Sequence, residues 1–385
     1  MVGSKKKLIR ITTVPQSLQS LLKGQLKYMN TYFDVLAVSS DASFFEEMLE
    51  EQEVRGVRIN MTRKITPFTD LISLYRLVKL FRKERPYIVH SHTPKAGILA
   101  MLAAKITGVP HRLHTVAGMP LLITMGFTRR ILNIVERLTY GCATKVLPNS
   151  FAMRDIILDN KLTKSSKLQV IANGSSNGID TTHFSLDAIK NSKNQLREEF
   201  GYSEKDFIFI FVGRLVADKG INELVEAFSK LYDKYDEVKL LLVGPYEDEL
   251  DPLKNSTRDT IENHKAIKAV GFQKDVRPFF KMADALAFPS YREGFPNVVM
   301  QAGSMELPSI VTDINGCNEI IIDRKNGLII PSKSVESLYI AMEEFIFDKE
   351  LVNSLKSNSR KLIVDRYQQE DVWQAILKMY QELEQ

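Results

Sequence analysis

Four side chains in the second half of this 385-residue chain have the types and spacing to grip a charged, hydroxylated ligand: Arg214, Lys219, Glu293 and Gln301. Arg214 and Lys219 stand in FVGRLVADKG, residues 211–220, where an apolar strand runs into a Gly-Arg turn. Lys219 closes the loop before a helical stretch at 221–232. Two cations at the carboxyl end of a buried strand suit a diphosphate. Arg grips phosphate oxygens in pairs and Lys adds a point charge. Each charge-assisted hydrogen bond contributes on the order of 1.5–3 kcal/mol. The competing reading pairs Arg214 with an acidic neighbour and leaves Lys219 in solvent.

Glu293 and Gln301 belong to residues 291–311, YREGFPNVVMQAGSMELPSIV. An apolar strand at 285–288 ends at Pro289-Ser290, and a polar elbow, Arg292-Glu293-Gly294, leads into a helix opening near Pro296. Val298, Val299, Ala302 and Met305 then recur at helical spacing, and Pro308 ends the run before a buried strand at 309–312. Free amides at such a helix start favour an anion, usually phosphate. A carboxylate at the same mouth calls for hydroxyls. A sugar nucleotide carries both groups. Two further strands end in glycine, LLVG at 241–244 and Val270-Gly271-Phe272, where backbone can approach a flat base closely.

The elements that position these residues alternate regularly. Strands at 7–14, 33–39, 57–61, 87–91, 111–116, 143–149 and 167–171 are separated by helical patterns at 18–29, 44–53, 71–85, 96–107 and 125–140. The second half repeats the alternation with strands at 207–212, 239–243, 267–270, 285–288, 309–312 and 327–330. Such spacing predicts parallel sheets covered on both faces, with ligands beyond the carboxyl ends of the strands. His92 and His114 fall near such ends in the first half, and the loop at Gly118-Met119-Pro120 follows the strand at 111–116. The Gly/Asn/Ser cluster at 173–180 marks a turn, which places a domain boundary near residue 185. Residues 335–385 read as helices, with Trp373 and Tyr380 as packing anchors.

Composition narrows the class. The chain is 44% hydrophobic and 26% charged, as in a globular protein. Cys142 and Cys317 lie far apart without metal-ligand spacing, which fits a reducing compartment. The apolar run near the N-terminus is too short for a signal peptide, and no stretch reaches the roughly 18 apolar residues of a membrane helix. A cytoplasmic protein is expected. The net +5 hides an asymmetry: residues 1–190 hold 27 Lys+Arg against 14 Asp+Glu, a net +13, and the remainder is −8. A basic half suggests an anionic surface or substrate, while no recognition-helix or aromatic-studded basic pattern points to nucleic acid. Within 125–140, Phe127, Ile131, Ile134, Val135 and Leu138 form an apolar stripe flanked by Arg129, Arg130 and Arg137. That stripe suits either an anionic membrane or lipid-linked phosphate, or packing on the protein's own core.

Taken together, GRLVADKG, LLVGP, VGF, ADALAFPSYREGFPNVVMQAGSMELPSIVTD and NGL resemble the retaining glycosyltransferases of family 4, which have the GT-B fold. SHTPKAG (91–97), VLPNS (146–150) and SNGID (176–180) look like the same family. The resemblance is nearest to bacterial enzymes that build capsule, exopolysaccharide or lipid-linked O-antigen units. It implies an α/β protein of two Rossmann-like domains facing across a cleft. Residues 1–185 would bind acceptor, 186–365 would bind the nucleotide-sugar donor, and a helix at 366–385 would pack back on the first domain. Arg214, Lys219 and Glu293 would be catalytic, the cations on the diphosphate and Glu293 on the sugar hydroxyls. Gly213 would lie beside the diphosphate, and the amides of Gly294, Phe295, Pro296 and Asn297 would meet phosphate. Gln301 would hold the ribose, and Gly271 with Phe272 would flank the base. His92, His114, Lys95, Arg129, Arg130 and Asn177 are the acceptor-side candidates.

The reaction so implied is hexosyl or N-acetylhexosaminyl transfer with retention, from a UDP-sugar to a lipid-linked glycan at the inner membrane surface. It would use no cofactor and no metal, on a cytoplasmic protein peripheral to the membrane. The chain departs from the family pattern at three points. Gln301 replaces the second of two glutamates, the first loop is VPQSLQS rather than glycine-rich, and Ala117-Gly118 stands where many members have His-Gly. Two other readings are an epimerase on the same fold and a non-catalytic membrane-associated subunit.

Overall fold

The computed structural model describes residues 5–384 except 42, 63–65, 120, 122–123 and 250, so Pro120 of the 118–120 loop lies outside them. The chain forms two compact units, Met1–Gly178 with Glu370–Gln385, and Ile179–Gln369. The division falls at 178/179 instead of near 185 because Ile179 is stitched to the second unit. Its N–H donates to the Tyr367 carbonyl at 2.8 Å, and its carbonyl accepts from the Gln369 N–H at 3.0 Å.

The first unit holds six strands in one parallel sheet: β1 (Lys7–Ile11), β2 (Asp34–Ser39), β3 (Arg55–Arg58), β4 (Ile88–Ser91), β5 (His111–Val116) and β6 (Lys145–Pro148). Their order is β3-β2-β1-β4-β5-β6. The order reverses between β1 and β4, the switch point where doubly wound sheets bind ligands. The connecting helices are α1 (Pro15–Leu22), α2 (Gln25–Asn30), α3 (Phe45–Gln52), α4 (Pro67–Glu84), α5 (Pro94–Ile106), α6 (Gly126–Cys142) and α7 (Phe151–Asp159). One core joins Leu77, Phe81, Ala100 and Tyr140 of α4–α6 to the sheet. The other joins Leu22, Leu26 and Phe45 to Val372, Ile376 and Tyr380 of the last helix, Gln369–Glu382.

Two expected strands differ. The strand read at 57–61 is instead Arg55–Arg58, because its ladder to β2 runs from Leu36↔Arg55 to Ser39↔Arg58. Residues 167–171 make no strand. Leu168 forms only an isolated bridge with Val146, after a 3-10 turn at Ser165–Lys167.

The second unit begins with α8 (Lys193–Glu199), capped reciprocally by Ser192 and Gln195. Its sheet comprises β7 (Phe207–Val212), β8 (Val238–Val243), β9 (Ile267–Ala269), β10 (Ala285–Phe288), β11 (Ser309–Thr312) and β12 (Gly327–Ile330). They are parallel in the order β12-β11-β10-β7-β8-β9, again reversing at the centre. FIFIFV and ALAF are almost wholly apolar because both faces are covered. The covering helices are α9 (Ile221–Tyr232), α10 (Asn255–Asn263), α11 (Arg277–Met282), α12 (Asn297–Ser304), α13 (Cys317–Ile320), α14 (Val335–Phe347) and α15 (Lys349–Tyr367). The last helix, α16, belongs to the first unit.

Candidate functional site

Lys219 and Glu293 meet at the carboxyl ends of β7 and β10, and Arg214 stands earlier on the loop that carries Lys219. From β7 the chain passes Gly213 and Arg214, makes a 3-10 turn at Ala217–Lys219, and enters α9 through Gly220. Gly220 has φ +72°, and a Cβ there would stand 2.1 Å from the Pro289 carbonyl oxygen. Glycine therefore lets the loop press against the end of β10. Lys219 donates to the Glu293 carboxylate, with the two side chains only 15% and 14% exposed. Arg292 pairs with Asp218 at 2.6 Å, and the Asp218 carbonyl accepts from the Tyr291 N–H at 2.8 Å. Two ion pairs and a backbone bond thus tie the 214–219 loop to the elbow at 291–294. Behind the elbow, Asn315 donates to the Glu293 carbonyl.

Arg214 pairs with the Glu247 carboxylate, so its charge is matched by an acidic neighbour; Lys219 is not solvated but paired. Asp248, in the same acidic loop, pairs with Arg258 at 2.6 Å. Sequence spacing reveals none of these partners. Glu247, Asp218 and Asn315 converge only because β7, β8, β10 and β11 are neighbours in the sheet. The buried Cys317 thiol is pushed far above its ordinary value, first by burial and then by the Glu293 carboxylate. It is not a nucleophile.

The donor-side candidates line the same edge. The Gly213 N–H donates to the Val243 carbonyl at 2.9 Å, and the Gly271 carbonyl accepts from the Gly244 N–H at 2.8 Å. These bonds align the ends of β7, β8 and β9. Phe272, just beyond β9, is 74% exposed. Gln301 is half-buried on α12. Pro296 is the N-cap of α12 and not part of its first turn, and having no N–H it cannot meet phosphate. The Phe295 ring is buried against Tyr367, 5.3 Å between centroids, so only its backbone is left for a ligand.

In the first unit the acceptor-side candidates separate. His114 is buried, its Nδ1 bonded to Ser91 Oγ at 2.9 Å and its ring lying over Gly97. Burial lowers its pKa to about 4. It is a core histidine and does not face a ligand. Asn177 has both ends of its amide engaged, accepting from Gln25 (2.9 Å) and Trp373 (2.7 Å) and donating to the Lys23 carbonyl (2.9 Å). It locks α16 to the α1–α2 turn. Lys95 pairs with Asp70 at 2.5 Å, linking α5 to α4. Arg129 and Arg130 are exposed on α6 and line a groove of about 510 Å³ with Arg137 and Asn160.

His92 is also buried, yet it lines a small cavity of about 20 Å³ with Asn149 and Ser176 at the carboxyl ends of β4 and β6. Its Nε2 accepts from the Arg10 Nε–H at 3.1 Å, which leaves the neutral ring's proton on Nδ1. That Nδ1, Asn149 Oδ1 and Ser176 Oγ have no hydrogen-bond partner among the described residues. Arg10 itself is fully buried among neutral acceptors, Tyr380 at 3.0 Å and Gln25 at 2.5 Å besides His92. Its basic position within a strand-like apolar run gave no signal of this. Among the described residues no group of three or more His, Cys, Asp or Glu stands together as a metal site would require.

Two doubly wound parallel sheets of this strand order have the architecture of the GT-B fold. Residues 192–362 match the model described as glycosyl transferases group 1, and residues 29–174 match the glycosyl transferase 4-like domain. The chain is 32% identical to the capsular polysaccharide biosynthesis glycosyltransferase CapM of Staphylococcus aureus, over 97% of each. It is 28% identical to the UDP-Gal:alpha-D-GlcNAc-diphosphoundecaprenol alpha-1,3-galactosyltransferase of Escherichia coli, covering 88% of this chain and 86% of that one. A glycosyltransferase structure from Rickettsia africae superposes with TM-score 0.82 at 19% identity, over 98% of both chains. Anabaena Alr3699/HepE in complex with UDP gives 0.81 at 17%, over 98% and 100%. The chain belongs to the family 4 glycosyltransferases and is a glycosyltransferase. Among the described residues no helix is long and apolar enough to cross a membrane.

Proposed function

We propose that the protein moves a sugar from a UDP-sugar, with retention, to a hydroxyl of a lipid-linked cell-surface glycan. The observation that carries this reading is the Lys219–Glu293 pair at the carboxyl ends of β7 and β10, with Arg214 on the same loop as Lys219. The acceptor hydroxyl attacks the anomeric carbon on the face from which the diphosphate departs. Its proton passes to a diphosphate oxygen as the sugar–phosphate bond breaks. Arg214 and Lys219 stabilise the charge growing on that leaving group, the usual large term in such catalysis. On this reading the reaction proceeds without a metal. Glu293 orients the transferred sugar through its hydroxyls, Gln301 hydrogen-bonds the ribose, and the Phe272 ring stacks on the base.

Acceptor chemistry rests on the relatives and on α6. CapM is named for capsular polysaccharide, and the Escherichia coli relative for a diphosphoundecaprenol acceptor. Arg129, Arg130 and Arg137 provide the planar donors that phosphate of such a lipid calls for. The protein then works at the cytoplasmic face of the membrane. The relatives are transferases, which does not favour the epimerase or the non-catalytic subunit.

A thermal-shift series with UDP, GDP, ADP and dTDP tests the donor reading. A ligand at a hundredfold excess over its Kd stabilises the folded state by about 2.7 kcal/mol. UDP is expected to raise the melting temperature of the wild type by several degrees and that of Arg214→Ala by far less. Equal stabilisation of both proteins would remove Arg214 from the diphosphate.

A further inference from the structure

The cavity that His92, Asn149 and Ser176 line encloses about 20 Å³ at the carboxyl ends of β4 and β6. His92 and Asn149 are only 2% and 5% exposed. His92 Nδ1, Asn149 Oδ1 and Ser176 Oγ are buried without a hydrogen-bond partner among the described residues. Buried polar atoms are as a rule paired, so three orphans around one cavity call for a shared partner. The rest of the wall supplies none. His90 Nε2 and Thr115 Oγ1 bond each other at 2.7 Å, and His90 Nδ1 meets the Tyr380 hydroxyl. Ser175 Oγ accepts from the Gly178 N–H at 3.0 Å, while Ile171 and Ile376 are apolar.

The chemistry of the three atoms selects that partner. His92 is neutral, because burial first, and then His90 and Arg10, hold its pKa well below the ordinary value. Its Nε2 accepts from Arg10, so Nδ1 carries the proton and donates. Asn149 Nδ2 faces the Ala117 carbonyl at 3.5 Å, which leaves Oδ1 as an acceptor. Ser176 Oγ does either. A metal ion finds no lone pair on Nδ1 and no carboxylate in the wall. An anion is repelled by the Asn149 oxygen. Water is both donor and acceptor, and one molecule needs roughly 10–15 Å³ and two to four polar partners.

We propose that the cavity is the binding site of one fixed water molecule. It accepts from His92 Nδ1–H, donates to Asn149 Oδ1 and hydrogen-bonds Ser176 Oγ. The water completes a chain of bonds that starts at Tyr380 of α16 and passes through Arg10 of β1 and His92 just beyond β4. Its far end is β6 and the turn at 173–178. That turn has reason to be braced. Ala172 (φ +47°) and Ser175 (φ +67°) both take the left-handed conformation that non-glycine residues seldom adopt. Only the Ser175 N–H, bonded to the Asn149 carbonyl at 2.7 Å, ties Ser175 to β6 directly. His92 therefore spends its one spare donor on the rim and keeps none for an acceptor.

A high-resolution crystal structure of the full chain, with nitrogen NMR of its histidines, tests the site. One density peak is expected within about 2.7–3.2 Å of all three atoms, and His92 should be protonated on Nδ1. Ser176→Ala should keep the peak on its two remaining partners. Asn149→Leu should displace it and speed amide exchange at 175–178 about tenfold, the loss of one hydrogen bond. No peak in the wild type would overturn the proposal, as would a His92 proton on Nε2. Anomalous signal at the site after a bromide soak would replace the water with an anion, and unchanged exchange in Asn149→Leu would remove the brace. If Asn149→Leu does not fold, the wild-type peak and Ser176→Ala still decide. The site lies within the first unit, so its failure leaves the donor reading untouched.

Discussion

Lys219 and Glu293 form a single pair that ties two loops together and, on the proposed reading, also serves chemistry. Each neutralises the other in a setting mostly shielded from water, and each is the group a donor would need, one for phosphate and one for hydroxyls. Removing one partner leaves the other charge shielded and unpaired, which costs about 3 kcal/mol. Glu293→Ala is therefore expected to lower the urea midpoint markedly, and Glu293→Ala with Lys219→Ala to recover much of that loss. Additive losses in this double-mutant cycle would show that the pair is not coupled. Both residues were legible in the sequence because a Gly-Arg loop and a Glu-Gly elbow follow apolar strands. Their mutual contact was not, since nothing local connects positions 219 and 293.

At the scale of elements, β4 and β5 place three histidines in the interior. Burial lowers the pKa of His90, His92 and His114, that of His114 to about 4. A folded pKa below the unfolded value means the unfolded chain binds the extra proton. These groups' contribution is full above pH 6.5 and is lost as pH falls toward the folded values. The slope is about 1.4 kcal/mol per pH unit for each histidine while its folded form stays neutral. Urea midpoints should fall steeply between pH 6.5 and 5, and His114→Asn should give a less stable protein with a shallower fall. An unchanged slope in that variant would exclude His114 as a contributor. The positions of His92 and His114 near strand ends suggested ligand contact. Strand register turned the histidines inward, His90 to Tyr380 and Thr115, His114 to Ser91.

Across the whole molecule, the chain leaves the first unit at Gly178 and returns to it at Glu370. α16 then supplies Val372, Ile376 and Tyr380 to one of that unit's cores and a hydroxyl to the buried Arg10. Ending the chain at residue 369 would strip the core and leave Arg10 with one fewer acceptor, a cost well above that of a single buried hydrogen bond. The truncated protein is expected to lose amide protection on β1 and β4, read by hydrogen exchange, and to keep it on β7 and β8. Full protection on β1 would show that α16 is dispensable.

The amino-acid sequence by itself determined the alternation of strands and helices, the two sheets and the loop–elbow pair at 214–219 and 291–294. Those follow from local patterns: apolar runs, helical spacing, and Gly or Pro at the breaks. Only the tertiary structure decided which face of a helix looks inward and which charges meet. In α6, Phe127, Ile134 and Leu138 form an apolar face equally suited to a core or a membrane, and packing of Glu136 and Tyr140 turned it outward. Periodicity identifies an amphipathic stripe, but burial is settled by neighbours distant in sequence.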